Sequence, residues 1–76
     1  MDADGIRHLI EAGLPGAQVL VADDDGVHFE ARVASEAFRG LTTVRQHQLV
    51  YRALGPHMGT SIHALALKTC MPEEWG

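Results

Sequence analysis

The side chains in this sequence that could bind a metal or move a proton are few. They are five histidines, one cysteine and an acidic triplet. His63 stands at the mouth of an apolar run, Ile62 to Leu67, in which no other side chain can ligate a metal or shuttle a proton. Imidazole is a good iron ligand and titrates near neutrality, so ligation or proton transfer is the chemistry open to it. A lone histidine beside a strand is, on its own, more often structural than a ligand. His28 lies in an alternating segment, His47 within a helical stripe, His57 after Pro56, and His8 on a surface turn of a helix. Cys70 has no second cysteine to pair with, so it forms no internal disulfide. Asp23-Asp24-Asp25 resembles a cation site but lacks the ligand spacing of a calcium loop, so a solvated turn is expected there.

The elements that must position these groups can be read in order. Residues 2–13 form a helix capped by Asp2 or Asp4, with Ile6, Leu9 and Ile10 on one side. Gly13-Leu14-Pro15-Gly16 ends it. A strand over 17–22 turns at Asp23-Asp24-Asp25-Gly26, whose Asp-Gly pair is a strong hairpin signal. The return strand, 27–34, alternates. Phe29, Ala31 and Val33 face the core, while His28, Glu30 and Arg32 face water.

Phe38 plugs the core from a short turn ending at Gly40. Thr42 or Thr43 then caps a second helix, to about Leu54, with Val44, His47, Val50, Tyr51 and Leu54 as its inward stripe. Gly55-Pro56 breaks this helix, and the last strand follows. That strand is apolar enough to be expected inside the sheet rather than at its edge. Leu65 and Leu67 should enter the core, carrying His63 to the same side at the rim. His28 then lies on the opposite face unless twist or a bulge redirects one of the two. Pro72-Glu73-Glu74 opens a short terminal helix, and Trp75 covers one edge. The order α-β-β-α-β-α predicts an α+β fold, a three-stranded mixed sheet with helices on one face.

At 76 residues the chain makes one domain, 1–76, burying roughly 60% of its unfolded surface. Hydrophobic content of 46% and charged content of 21% are ordinary for a globular domain. No apolar run approaches the ~18 residues of a membrane span, and the acidic N-terminus does not read as a secretory signal. A cytoplasmic location is expected, as a monomer or weak homodimer.

The net charge of −4 is unevenly distributed. Residues 1–36 hold eight acids against Arg7 and Arg32, a balance of −6, and residues 37–76 come to +2. Arg39, Arg45, Arg52 and Lys68 therefore offer a docking face to an anionic partner. Four charges support only weak, salt-sensitive nucleic-acid binding, and no Gly-x-x-Gly loop is present for reading RNA. No nucleophile–base pair, phosphate-cradling loop or closed metal motif points to an enzyme.

Four pieces in this order and spacing make the sequence resemble the BolA family. They are Phe38-Arg39-Gly40, Gln46-His47-Gln48-Leu49-Val50-Tyr51, Ile62-His63-Ala64-Leu65 and Pro72-Glu73-Glu74-Trp75. The resemblance implies a fold similar to type II KH domains. It also implies a small partner of monothiol glutaredoxins that shares a [2Fe–2S] cluster with them in iron–sulfur trafficking. That cluster would be held jointly with the glutaredoxin cysteine and glutathione, and none is expected in the isolated protein. Some members are DNA-binding regulators of cell shape and stress response. His63 is the ligand this resemblance implies, with His28 the nearest candidate for a second; Phe38, Gly40, His47, Tyr51 and Trp75 take structural roles. Two departures stand out. The family's usual Arg-His-Arg is here Gln46-His47-Gln48, and the loop that often supplies Cys or His reads Asp23-Asp24-Asp25-Gly26.

Overall fold

A computed structural model describes all residues, Met1 to Gly76. Helix α1 (Ala3–Gly13) starts where Asp2 accepts a hydrogen bond from the Gly5 amide at 2.8 Å. Strands β1 (Gln18–Asp23) and β2 (His28–Ala34) form the antiparallel hairpin, paired so that Val19 faces Val33 and Val21 faces Ala31. Helix α2 (Thr43–Leu54) starts at a Thr42 cap that accepts from the Arg45 amide. Strand β3 (Ala64–Cys70) then pairs parallel to β2. Single 3₁₀ turns at Glu36–Phe38, Gly55–His57 and Pro72–Glu74 complete the chain. No helix is long and apolar enough to cross a membrane.

The architecture is the expected α+β, with a mixed three-stranded sheet and the helices over one face. Ile6 and Ile10 of α1, Val50 and Leu54 of α2, and Phe29, Ala31 and Val33 of β2 share one core with Phe38 and Ile62. Phe38 is fully buried, as its place in the turn predicts. Gly40 beside it has φ +79°, a left-handed backbone that a glycine adopts without penalty. The helices approach closely where a methyl group on Gly13 would come within 2.5 Å of Ala53 Cβ.

Three expectations fail. The sheet order is β1-β2-β3, so the apolar β3 lies at an edge and β2 is central. Leu65 and Leu67 are only half-buried, and Ala66 and Lys68, which alternate with them, are exposed, so an edge position suffices. The inward stripe of α2 is also rotated. Val44 is 67% and Tyr51 39% exposed, whereas Gln46, absent from the expected stripe, is only 6% exposed. His47 is half-buried and meets Tyr51 edge-on. The third failure concerns Ile62. Expected on the face opposite Leu65 and Leu67, it is fully buried, and Leu65 also packs against the core, so the alternation breaks between them; His63 is exposed.

Gln46 inverts the usual preference because every polar group it buries is paired. Its Nε2 donates to the carbonyls of Phe38 (3.3 Å) and Leu41 (3.0 Å), and Oε1 accepts from Thr69 Oγ1 at 2.6 Å. One amide thus joins the 36–41 turn, α2 and β3. Each buried group left unpaired costs ~1–3 kcal/mol. Gln46→Ala should therefore lower stability by about 2–4 kcal/mol in urea unfolding, whereas Gln48→Ala on the exposed face should change it by less than ~0.5 kcal/mol.

Candidate metal-ligating and docking sites

His28 opens β2 and pairs across the sheet with Ala64, the first residue of β3. His63 immediately precedes that rung, so the two candidate ligands come from adjacent strand entrances. Both are exposed. The 57–62 turn holds the entrance of β3 in place. The His57 carbonyl accepts from the amides of Thr60, Ser61 and Ile62, and Gly59 donates to the Ile62 carbonyl at 2.8 Å. Ile62 anchors this turn in the core, which fixes the backbone from which His63 projects.

The entrance of β2 is built by the acidic turn. Asp23 Oδ1 accepts from the Gly26 amide, and Gly26 takes φ +82°. Asp25 Oδ1 accepts from the amides of Val27 (2.9 Å) and His28 (2.8 Å). Its other oxygen lies 2.7 Å from His28 Nδ1. The triplet is thus a turn-forming device, as expected. The His28 amide and ring, followed by the Val27 amide, bring the Asp25 carboxyl down to about 2. The same carboxylate, through its hydrogen bond and then its charge, raises the His28 imidazole above its ordinary value, with Asp24 adding to the effect.

No group of three or more His, Cys, Asp or Glu side chains is placed to hold a metal ion. His28 and His63 together supply two imidazoles, which is half of a four-ligand set. Cys70 is half-buried at the far end of β3, away from the histidines at the strand entrances.

The expected docking cations divide into two pairs. Arg39 is already engaged: Nη1 and Nη2 donate to Glu73 at 3.0 and 2.7 Å, while Nε and Nη2 donate to Glu36. Its hydrogen bonds hold both carboxyls below the usual carboxylate range. Arg39 thus joins the 36–38 turn to the 72–74 turn and offers little free charge. Lys68 stands 4.0 Å from Glu30 on the open face of the sheet. Arg45 and Arg52 have no carboxylate within ion-pair distance. With Gln48, Leu41 and Leu49 they line a shallow groove of about 290 Å³. Trp75 seats against the open face, where the Arg32 guanidinium lies 4.8 Å from its ring centre and Nη2 donates to its carbonyl. Sequence reasoning missed this use of Arg32, and also the Asp25–His28 bond, although an acid three residues before a histidine was visible.

A family model described as BolA-like protein matches residues 11–74. The chain is 34% identical over 68 residues to a chloroplastic protein named BOLA1 from Arabidopsis thaliana, covering 90% of this chain and 39% of that one. It is 42% identical over 48 residues to a protein named DNA-binding transcriptional regulator BolA from Haemophilus influenzae, covering 63% of this chain and 47% of the relative. The chain thus spans less than half the length of these curated relatives. Among solved structures, a bolA homologue from Coxiella burnetii superposes with a TM-score of 0.87 at 47% identity, covering 99% of this chain and 96% of that one.

The Asp25–His28 pair carries a pH signature. The raised His28 value gives stability that is complete below the ordinary 6.5 and is lost as pH climbs through that raised value. The depressed Asp25 value gives stability that is complete above the ordinary 3.8 and is lost as pH falls through about 2. The pair is therefore at full strength between 3.8 and 6.5. Proton NMR of the ring C–H should show His28 titrating above 6.5, and Asp25→Ala should bring that midpoint down.

Proposed function

This chain belongs to the BolA-like protein family, and we propose that it is an adaptor that partners a monothiol glutaredoxin and shares a [2Fe–2S] cluster with it. The observation that carries the reading is the pair His28 and His63, both exposed at adjacent strand entrances, His63 standing one residue before the Ala64 that pairs with His28. Imidazole donors suit a cluster that is to be passed on. Replacing thiolate by imidazole on one iron raises the potential of a [2Fe–2S] centre, and it removes a negatively charged ligand. The chain offers two such donors and no further ligand beside them. A cluster bound here would need its thiolates from the glutaredoxin cysteine and from glutathione. The fit is that of half a site, open to solvent, at one end of the sheet.

A second reading has its own support. Arg45 and Arg52 are two helical turns apart, about 10 Å along the axis, on an open groove and free of carboxylates. A relative carries the name DNA-binding transcriptional regulator. The two guanidiniums suit contact with a phosphate backbone, a weak and sequence-independent mode.

Mixing the protein with a cluster-loaded monothiol glutaredoxin should alter the visible absorption and circular dichroism of the cluster. His63→Ala should abolish that change while keeping the far-ultraviolet spectrum. A His63→Ala protein that perturbs the cluster as the parent does would remove His63 from the ligand set. For the second reading, the measurement is the salt dependence of duplex DNA binding. Arg45→Glu with Arg52→Glu should weaken binding and flatten the logarithmic salt slope by about two; an unchanged affinity would exclude this surface.

A further inference from the structure

We infer that Asp25 is a positioning residue for the His28 ligand: its carboxylate fixes the imidazole as the Nδ1–H tautomer and leaves Nε2 as the atom offered to a metal. The use of that atom rests on the proposed cluster-sharing role. The tautomer itself is a property of the chain alone.

The argument is one of donors and acceptors. An ionised carboxylate can only accept hydrogen bonds. Its Oδ2 is 2.7 Å from His28 Nδ1, so that nitrogen must carry the hydrogen. In the neutral ring the lone pair then resides on Nε2, for which the structure gives no hydrogen-bond partner. The other oxygen, Oδ1, takes the backbone amides of Val27 and His28 at 2.9 and 2.8 Å. One carboxylate therefore fixes both the backbone that carries the imidazole and the ring's hydrogen position. Low accessibility does not explain the arrangement, because both side chains are more than half exposed. What distinguishes the arrangement is that three hydrogen bonds converge on one carboxylate within four residues.

Histidines that bind metals commonly donate their second ring nitrogen to a carboxylate, which orients the ring and makes the ligating nitrogen more basic. Asp25 meets that description before any metal arrives. The loop at this end supplies no cysteine or histidine of its own in Asp23-Asp24-Asp25-Gly26. Its contribution is indirect, made through the residue that follows the turn. Asp23 and Asp24 do not share the role. Asp23 is spent on the Gly26 amide, and Asp24 acts on His28 only through its charge.

Asp25→Asn separates the two duties of the carboxylate. The asparagine oxygen can still accept from Val27 and His28 and so keep the turn. Its NH₂ then faces the ring, and a donor there requires Nδ1 to accept, which moves the hydrogen to Nε2. Long-range ¹H–¹⁵N spectra of the metal-free protein, recorded above the His28 titration, read this directly. The expected result is Nδ1–H in the parent and Nε2–H in Asp25→Asn, with the Val27 and His28 amide signals little changed. A parent already in the Nε2–H form, or an Asp25→Asn ring identical to the parent's, overturns the tautomer assignment. If the Val27 and His28 amides move, Asp25→Ala provides the readout; retention of Nδ1–H there also overturns it.

The second arm uses the cluster-loaded glutaredoxin complex. Asp25→Asn should shift the visible circular dichroism and the electron paramagnetic resonance signal of the reduced cluster, with His63→Ala measured alongside. An Asp25→Asn complex identical to the parent's, while His63→Ala is perturbed, removes Asp25 from ligand positioning but leaves the adaptor reading intact. A silent His63→Ala removes His63 from the ligand set, and a parent protein that leaves the glutaredoxin cluster's spectra unchanged removes the adaptor reading itself, whatever the tautomer.

Discussion

The amide of Gln46 is the contact on which the arrangement of this small domain turns. A chain of this size has one core and little to spare, and only Ser35 and Gln46 are buried polar residues within it. Gln46 holds two carbonyls of the turn that precedes its own helix and a hydroxyl from the last strand. A hydrophobic side chain there could fill the volume but could not choose a register. The amide sets both the rotation of α2 about its axis and the level at which Thr69 meets it. From that rotation follows which residues of α2 are left outside, Arg45, Gln48 and Arg52 among them. From the seating of β3 follows the position of its entrance, where His63 stands.

The same amide shows why the sequence was legible only in part. The hairpin could be read because its determinants are local: Asp25-Gly26 for the turn and strict alternation from Phe29 to Val33. Phe38 and the helix caps were legible for the same reason. The face of α2 was not, because the partners of Gln46 lie eight residues before it and twenty-three after it. Hydropathy ranks an amide as exposed; only distant acceptors make it a core residue. The position of β3 was misread because an apolar composition does not say how many neighbours a strand has. The exposure of His63 was legible, but the burial of Ile62 before it was not. The three-residue spacing of Ile62, in the core, and Leu65, packed against it, contained the break in alternation, hidden by the more regular Leu65–Leu67 pair.

Charge was also more local than its distribution along the chain implied. The positive balance of residues 37–76 looks like a basic surface when counted. In space, Arg39 is consumed by Glu36 and Glu73 as a clasp between two turns, and Lys68 has Glu30 across the strand. The free cations reduce to Arg45 and Arg52 on the helical layer. They and the two histidines belong to different elements, α2 and the sheet, so binding of charge and ligation of metal draw on separate side chains.

Gly13 and Ala53, where the two helices approach closely, constrain which sequences this fold can accept. With a methyl group on Gly13 only 2.5 Å from Ala53 Cβ, the two positions have room for one methyl between them. They behave as a single site shared by two helices. A substitution that enlarges one must shrink the other or part the helices, and parting them would loosen Ile6 and Ile10 from Val50 and Leu54. Sequence drift in this layer is therefore paired rather than independent, although forty residues of chain separate its two halves.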